Sequence, residues 1–300
     1  MPSDPAGRAR RDPFDGAGAP GAVGRTPFGE RLSAAMERLG PLCVGIDPHP
    51  ALLASWGLAD NAEGLRTFSQ TVLEAVAPLA AAIKPQVALY ERHGSAGLAA
   101  LEELLASSAD AGVLTIADAK RGDIGSTMAG YADAWLRDGS ALAADSVTLS
   151  PYLGFESLRP ALDLAAEAGR GVFVLALTSN PEGASVQHVG GAESVAKRIV
   201  QAAAAENLRY AGSMGSVGLV VGATVGTALV DLGIDLAAVK GPILAPGLGA
   251  QGATGADMRA TFGDAYPLVL GTSSRGILAA GPSVAGLRAA TVETLATLAL

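Results

Sequence analysis

Several residue types on which common classes of protein depend are scarce in this chain. Cys43 is its single cysteine, so no disulfide can form within the chain, and its place in the apolar run LCVGI is typical of a small core residue. The three histidines, His49, His93 and His188, lie far apart and lack the spacing of a metal site. Neither a nucleophile elbow nor a Cys-His pair is present. We therefore expect a reducing, cytoplasmic setting and chemistry that depends on carboxylates and lysines.

Positive charge and long hydrophobic runs are also scarce. The formal net charge of -8 argues against a nucleic-acid or anionic-membrane partner, because both need a basic face. No stretch reaches the roughly 18 uninterrupted apolar residues of a membrane span, and Arg8, Arg10 and Arg11 are not followed by the apolar segment of a signal peptide. These absences predict a soluble protein that binds neither nucleic acid nor membranes. A local cluster of arginine and backbone N–H groups could still hold a small anion.

The composition divides the chain into two parts. Residues 1–26 are rich in glycine, proline, alanine and arginine, with only Phe14 as a large apolar group, and this predicts a disordered N-terminal extension. The whole chain of 300 residues is 49% hydrophobic, which is enough for one large core. We predict that residues 27–300 form a single domain.

Eight apolar runs of strand length alternate with segments of helical periodicity. The runs are Pro41 to Ile46, Ala80 to Ile83, Val113 to Ala117, Ser146 to Leu149, Gly171 to Leu177, Val217 to Gly222, Pro242 to Ala245 and Pro267 to Leu270. Each is continuously apolar, as expected for parallel strands that are buried on both faces. Nearly every run ends in a polar or charged residue, which suits eight loops that converge on one mouth. The pattern favours an α/β fold of the (β/α)8 TIM-barrel type over its rival, a doubly wound sheet with one crevice.

The third run ends in three charges at fixed spacing. In the sequence VLTIADAKRGDIGST, a predicted buried strand leads directly to Asp118, Lys120 and Asp123. Asp118 and Lys120 are two residues apart, so on an extended strand end their side chains leave on the same face. The pair could be a plain salt bridge. The second carboxylate makes the array costly to place near a core unless it binds something, and this favours a catalytic role.

A glycine-rich turn follows the seventh run. PGLGAQG, at Pro246 to Gly252, formally contains the dinucleotide-binding pattern, but that pattern belongs to a first strand and needs an acidic residue about 20 positions later. Here the next run instead leads to Ser274 and Arg275. Glycines after strand seven and an arginine after strand eight are typical of a barrel's phosphate site, in which Gln251 could add an amide donor. The alternative is a tight turn beside a solvent-exposed arginine.

Taken together, these motifs resemble those of the orotidine 5′-phosphate decarboxylases. The resemblance rests on DAKRGDIGST with its D-x-K-x-x-D core, GIDPHP, IKPQ, TSNP, PGLGAQG and the terminal Ser-Arg, and it covers the chain from about Phe28 onward. GIDPHP and AIKPQVALYERHG are similar to the bacterial type 2 subgroup. The resemblance implies a cofactor-free enzyme that converts orotidine 5′-phosphate to uridine 5′-phosphate and CO2, the last step of de novo UMP synthesis. It also implies a homodimer.

The resemblance assigns the charged array to catalysis. It implies that Lys120 is the proton donor and lies between Asp118 and Asp123, and that Asp123 and Thr127 reach into the site of the neighbouring subunit. Loss of CO2 leaves electrons in an sp² orbital that the pyrimidine ring cannot delocalise, so the carbanion needs a cation beside it. Two flanking carboxylates would keep the lysine charged.

The other carried-over residues bind the nucleotide. By resemblance, Asp47 contacts the ribose, as does Lys84, which also joins the charged network. Ser179 would hold the pyrimidine, and Gln251 and Arg275 would hold the phosphate.

Two other functions remain open at the level of sequence. One is a Mg²⁺-dependent lyase or decarboxylase of the same suprafamily, acting on a sugar phosphate through an enediolate, with the D-x-K-x-x-D carboxylates as metal ligands. The other is a non-catalytic barrel that senses a phosphorylated ligand. An intact Lys120 array argues against the sensor, because a sensor has no need of an ammonium between two carboxylates.

Overall fold

Eight parallel strands close into a barrel in which each strand pairs with its neighbours in the sequence and the last pairs with the first. The computed structural model describes residues 24–249 and 253–299. Its strands are β1 (Leu42–Ile46), β2 (Ala82–Pro85), β3 (Leu114–Arg121), β4 (Ser146–Leu149), β5 (Gly171–Leu177), β6 (Val217–Val221), β7 (Ile243–Pro246) and β8 (Val269–Ser273). The predicted (β/α)8 TIM barrel is thereby confirmed, and the doubly wound sheet is excluded.

Helices surround the barrel and connect its strands. Within the described ranges they are α1 (Phe28–Leu39), α2 (Pro50–Ser55), α3 (Ala62–Val76), α4 (Ala88–Glu91), α5 (Gly94–Asp110), α6 (Gly125–Leu136), α7 (Arg159–Glu167), α8 (Ala184–Gln187), α9 (Val195–Asn207), α10 (Ala228–Asp231), α11 (Gly255–Phe262), α12 (Arg275–Leu278) and α13 (Val284–Ala299). None of these helices is both long enough and apolar enough to cross a membrane.

Alternation along the strands divides the buried side chains into two cores. In β1, Leu42, Val44 and Ile46 belong to the outer core between the barrel and its helices, whereas Cys43 belongs to an inner cluster. This two-sided burial is the reason why β1 reads as a continuous apolar run and does not alternate between apolar and polar residues. Burial raises the pKa of the Cys43 thiol to about 12.

Helix α1 closes the end of the barrel where the strands begin. Phe28 and Leu32 are fully buried in the inner cluster, and the Phe28 ring meets the edge of Phe173 at a centroid distance of 6.0 Å. Gly171 leaves the space that the Phe28 ring occupies, because a Cβ there would lie 2.2 Å from a ring carbon. The open cavity of the barrel therefore lies at the other end, where the strands finish.

The described chain begins just before α1. The Arg25 guanidinium donates to Asp138 at 2.9 Å and to the carbonyl of Ala168 at 2.8 Å, so this residue of the predicted extension contacts the barrel's helical shell. Residues 1–23 of that predicted segment lie outside the described residues, and their disorder stays a prediction.

Replacing Phe28 by alanine tests whether α1 closes the barrel. Phe28→Ala should lower the free energy of unfolding in urea by about 3–5 kcal/mol, because it leaves a cavity between α1 and Phe173. Leu208→Ala is the control, since that leucine is 81% exposed and its removal should change stability by less than about 0.5 kcal/mol. Equal effects of the two substitutions would contradict this role of Phe28.

Candidate active site

A cavity of about 510 Å³ opens where the strands end. This is where barrel enzymes bind their substrates, because the loops after all eight strands meet there. It is lined by Asp47, His49, Lys84, Gln86, Asp118, Lys120, Leu175, Thr178, Val220, Leu244, Pro246, Gly247, Leu248, Thr272, Ser274 and Arg275. Its floor is apolar and continues the inner cluster through Val220 and Leu244, while charged groups occupy its walls.

Asp118 is the centre of the charged wall, and both of its carboxylate oxygens are fully engaged. Oδ1 accepts from Lys120 Nζ at 2.6 Å and from the Thr148 hydroxyl at 2.9 Å. Oδ2 accepts from Lys84 Nζ at 3.2 Å and from the Gln86 side-chain amide at 2.9 Å. One carboxylate on β3 thus joins two lysines, an amide and a hydroxyl from three neighbouring strand ends.

Opposite charges in this cluster fix each other's protonation. Burial alone would lower the pKa of Lys84, but the attraction of Asp118 and Asp47 for its ammonium is larger in sum, so this pKa lies above its ordinary 10.5. Burial alone would raise the pKa of Asp118, yet Lys84, Lys120 and the hydrogen bonds from Lys120 and Thr148 hold that pKa below 3.8. Lys84 and Asp118 are therefore both charged at neutral pH.

The two lysines differ in their exposure to the cavity. Both side chains line the cavity, but that of Lys84 is only 8% exposed, whereas that of Lys120 is 46% exposed. Lys120 has a φ of +48°, and its left-handed backbone lies within β3, which the prediction ended at Ala117. Lys120 therefore offers the more accessible of the two ammonium groups to a ligand in the cavity.

The end of β3 is anchored against α6. The Arg121 guanidinium pairs with Glu91 and lies over the rings of Tyr131 and Trp135, 5.7 Å from each centroid. The chain then turns into α6 through Asp123, whose Oδ1 accepts from the backbone N–H of Ile124 at 2.8 Å. The loop that follows the lysine is thus held from the side away from the cavity.

Asp47 lines the cavity, and one of its carboxylate oxygens has no hydrogen-bond partner in the described part of the chain. Its Oδ2 accepts from the Ser274 hydroxyl, which follows β8, while its Oδ1 is buried and has no hydrogen-bond partner among the described residues. A buried carboxylate oxygen without a donor is costly.

The far wall of the cavity has the features of an anion site. Gly247 and Gly249, after β7, adopt φ values of +121° and +75°, which favour glycine. Arg275, after β8, is exposed and forms no ion pair with any residue of the described ranges. Backbone N–H groups and a guanidinium on one wall can bind a phosphate.

The structure brings five of the residues predicted from the sequence into one cavity. These five are Asp47, Lys84, Asp118, Lys120 and Arg275. Three other predicted residues, Asp123, Thr127 and Ser179, do not line it. Asp123 is half-buried at the start of α6, and Thr127 is exposed on that helix. Ser179 is also exposed, and its neighbour Thr178 lines the cavity in its place. Gln251 lies outside the described residues.

Sequence reasoning did not single out several residues of the cavity. Gln86 lies two positions after Lys84, and the strand alternation used for Asp118 and Lys120 would have found it. Thr148 and Ser274 contact their aspartates across 30 and 227 residues of sequence, and no local pattern signals such contacts. Within the described part of the chain, no three His, Cys, Asp or Glu side chains are grouped as a metal site requires.

Comparisons with known proteins agree with these motifs. The model of the orotidine 5′-phosphate decarboxylase / HUMPS family matches residues 40–290. A Salinispora arenicola protein named orotidine 5′-phosphate decarboxylase is 55% identical over 90% of this chain and 96% of its own length, and a Streptomyces coelicolor protein of the same name is 54% identical over 88% and 94%. A crystal structure of a Streptomyces avermitilis protein assigned to the same activity superimposes with a TM-score of 0.88 at 52% identity, covering 92% of this chain and 96% of that one. The chain belongs to the orotidine 5′-phosphate decarboxylase / HUMPS family.

Proposed function

We propose that this protein decarboxylates orotidine 5′-phosphate to uridine 5′-phosphate and CO2 without a metal or organic cofactor, as the last step of UMP synthesis in the cytoplasm. The observation that carries the proposal is the Lys120 ammonium, which faces the cavity 2.6 Å from the buried Asp118 carboxylate. The names of relatives at 50–55% identity support this activity over others in the family.

Lys120 would act on the charge that forms as the carbon–carbon bond breaks. When CO2 leaves C6 of the pyrimidine, the electron pair stays in the ring plane and cannot be delocalised, so a cation beside C6 stabilises it. Lys120 offers that cation on an exposed side chain, and its Nζ carries the proton that then forms the C6–H bond. The same ammonium group thereby stabilises the carbanion and then protonates it.

Asp118 would orient Lys120, whose ammonium donates to it at 2.6 Å. Its low pKa makes it a permanent anion, and its negative charge beside the substrate carboxylate would add a repulsion that is relieved as CO2 departs. Its oxygens already accept four hydrogen bonds, two of them from ammonium groups, so a divalent cation would have to displace Lys84 or Lys120 to bind there. This occupancy favours the lysine mechanism over the Mg²⁺-dependent alternative.

The remaining cavity residues would hold the nucleotide. Asp47 and the Lys84 ammonium, which line the cavity, suit the ribose hydroxyls, and Arg275 with the Gly247 turn suits the phosphate. Gln251 would add an amide to the phosphate, and Ser179 would contact the pyrimidine. The phosphate contacts lie far from C6, yet they can assemble the site around the substrate. The free energy of phosphate binding then lowers the activation barrier of decarboxylation.

A homodimer would complete the site. Ile124, Tyr152 and Leu153, in the loops after β3 and β4, are apolar side chains that are 61%, 80% and 54% exposed. A second copy that covers them would bury this surface. Ile124 lies between Asp123 and Thr127 in the sequence, so an interface there would carry both residues towards the partner's cavity.

Lys120→Ala tests the catalytic assignment. We expect kcat to fall by more than about a thousandfold while the product nucleotide still binds, because the lost ammonium acts mainly on charge that develops in the transition state. Decarboxylation is followed by the loss of orotate absorbance, and nucleotide binding by calorimetry.

Lys240→Ala is a matched control for that substitution. Lys240 has a φ of +49°, close to the +48° of Lys120, but it is exposed at the opposite end of the barrel. Alanine imposes similar backbone strain at both positions, so only Lys120→Ala should lose activity. A loss of less than about tenfold in Lys120→Ala would refute the role of Lys120 as proton donor.

Arg275→Ala tests the phosphate site. It should raise KM for orotidine 5′-phosphate by about ten- to a hundredfold and leave turnover of the unphosphorylated nucleoside almost unchanged, because the guanidinium matters only where there is an anion to hold. Arg198→Ala, at an exposed position of α9 away from the cavity, should change neither. Equal losses with both substrates would show that Arg275 does not contact the phosphate.

Mixing two inactive variants tests whether Asp123 acts across the dimer. Lys120→Ala and Asp123→Ala chains are unfolded together in equal amounts and refolded. If Asp123 acts in the partner's site, each mixed dimer contains one intact site, and since about half of the dimers are mixed, about a quarter of all sites should be active. If Asp123 acts within its own barrel, every site keeps a defect and mixing restores no activity.

A further inference from the structure

We propose that Thr148 is a positioning residue that aims the Lys120 ammonium, a role that rests on the proposed function. Thr148 lies on β4 and is 1% exposed. Its hydroxyl accepts from the backbone N–H of Lys120 at 2.9 Å and donates to Asp118 Oδ1 at 2.9 Å. Asp118 Oδ1 in turn accepts from Lys120 Nζ. One buried hydroxyl therefore holds both the main chain of the lysine and the carboxylate that its side chain meets.

An irregularity in the β3–β4 ladder makes this hydroxyl necessary. Ala117 pairs with Val147 and Arg121 pairs with Leu149, so residues 118–120 of β3 stand opposite Thr148 alone. Such a bulge leaves backbone groups without their usual ladder partners. The N–H of Lys120 is one of these groups, and it finds its acceptor in the Thr148 side chain. A threonine thus satisfies a donor that the regular sheet would have satisfied through the backbone.

The bulge also contains the strained backbone of Lys120. Lys120 adopts a left-handed φ of +48°, a conformation that is unfavourable for a residue with a Cβ and persists only where its surroundings enforce it. The hydrogen bond to Thr148 lies at that strained residue. Without the hydroxyl, the backbone of Lys120 could relax, and the ammonium would lose its alignment with Asp118.

Thr148 has a structural counterpart that serves as a matched control. The hydroxyl of Thr115, on β3, accepts from the backbone N–H of Asp145 at 3.0 Å and donates to the Asp145 carboxylate at 3.2 Å. Thr115 is also buried, at 3% exposed, but it does not line the cavity. Valine at either position removes one buried hydroxyl that links a backbone N–H to an aspartate. Only the Thr148 substitution disturbs Lys120.

The test compares Thr148→Val, Thr148→Ser and Thr115→Val by steady-state decarboxylation. We expect Thr148→Val to lower kcat by about ten- to a hundredfold while KM changes less than about threefold, because the hydroxyl acts on the group that reacts and not on substrate binding. Thr148→Ser keeps the hydroxyl and should retain kcat within about threefold. Thr115→Val should keep kcat and KM, whatever its melting temperature.

A second readout does not depend on turnover. Amide hydrogen exchange, measured by mass spectrometry on the free protein, should be at least about tenfold faster at Lys120 in Thr148→Val, because that N–H loses its acceptor. In Thr115→Val, exchange should become faster at Asp145 and stay unchanged at Lys120. If valine prevents folding at position 148, Thr148→Ala is measured in the same way.

The outcomes separate the two proposals. Absence of decarboxylation by the unaltered protein would overturn the proposed function, and the exchange experiment would still decide whether Thr148 fixes Lys120. An active protein whose Thr148→Val variant keeps kcat would overturn the positioning role. So would a loss of kcat that Thr115→Val shares or that Thr148→Ser fails to restore, since either result would indicate a merely structural effect.

Discussion

The ion pair between Lys84 and Asp118 is the interaction on which the rest of the site depends. Both side chains are buried at the end of an otherwise apolar barrel, where an unpaired charge would be strongly destabilising. Each buried charge is tolerated only because the other is its counter-charge, and because Gln86, Thr148 and Lys120 donate the other hydrogen bonds that the carboxylate accepts. A reactive ammonium at Lys120 can then be added at the surface of this cluster without further burial of charge.

Most of the fold, and the centre of the site, could be predicted from the sequence, because both follow from local patterns. Ser146–Leu149 and Gly171–Leu177 are strands with the predicted bounds. Their ends could be predicted because polar residues flank each continuous apolar run. The proximity of Asp118 and Lys120 followed from strand alternation and was confirmed, although the backbone that achieves it is not a regular strand.

The remaining features of the site depend on geometry that no local pattern encodes. The left-handed turn of Lys120 arises from a change in register between two strands, and the hydroxyl that supports it comes from the neighbouring strand. The pairing of Ser274 with Asp47 exists only because the last strand closes on the first. Closure of the barrel thus creates contacts between residues at opposite ends of the domain, and only the three-dimensional structure shows them.

The burial of Cys43 has a practical consequence for experiments on this molecule. Its thiol is enclosed in the inner cluster with a pKa of about 12, so the thiolate that reacts with maleimides and iodoacetamides is essentially absent at neutral pH. Because the chain has no other cysteine, one introduced on the surface would be its sole reactive thiol. A fluorophore or spin label could therefore be attached to the loops around the cavity without first removing a native cysteine, and the motion of those loops could be followed in an otherwise unaltered protein.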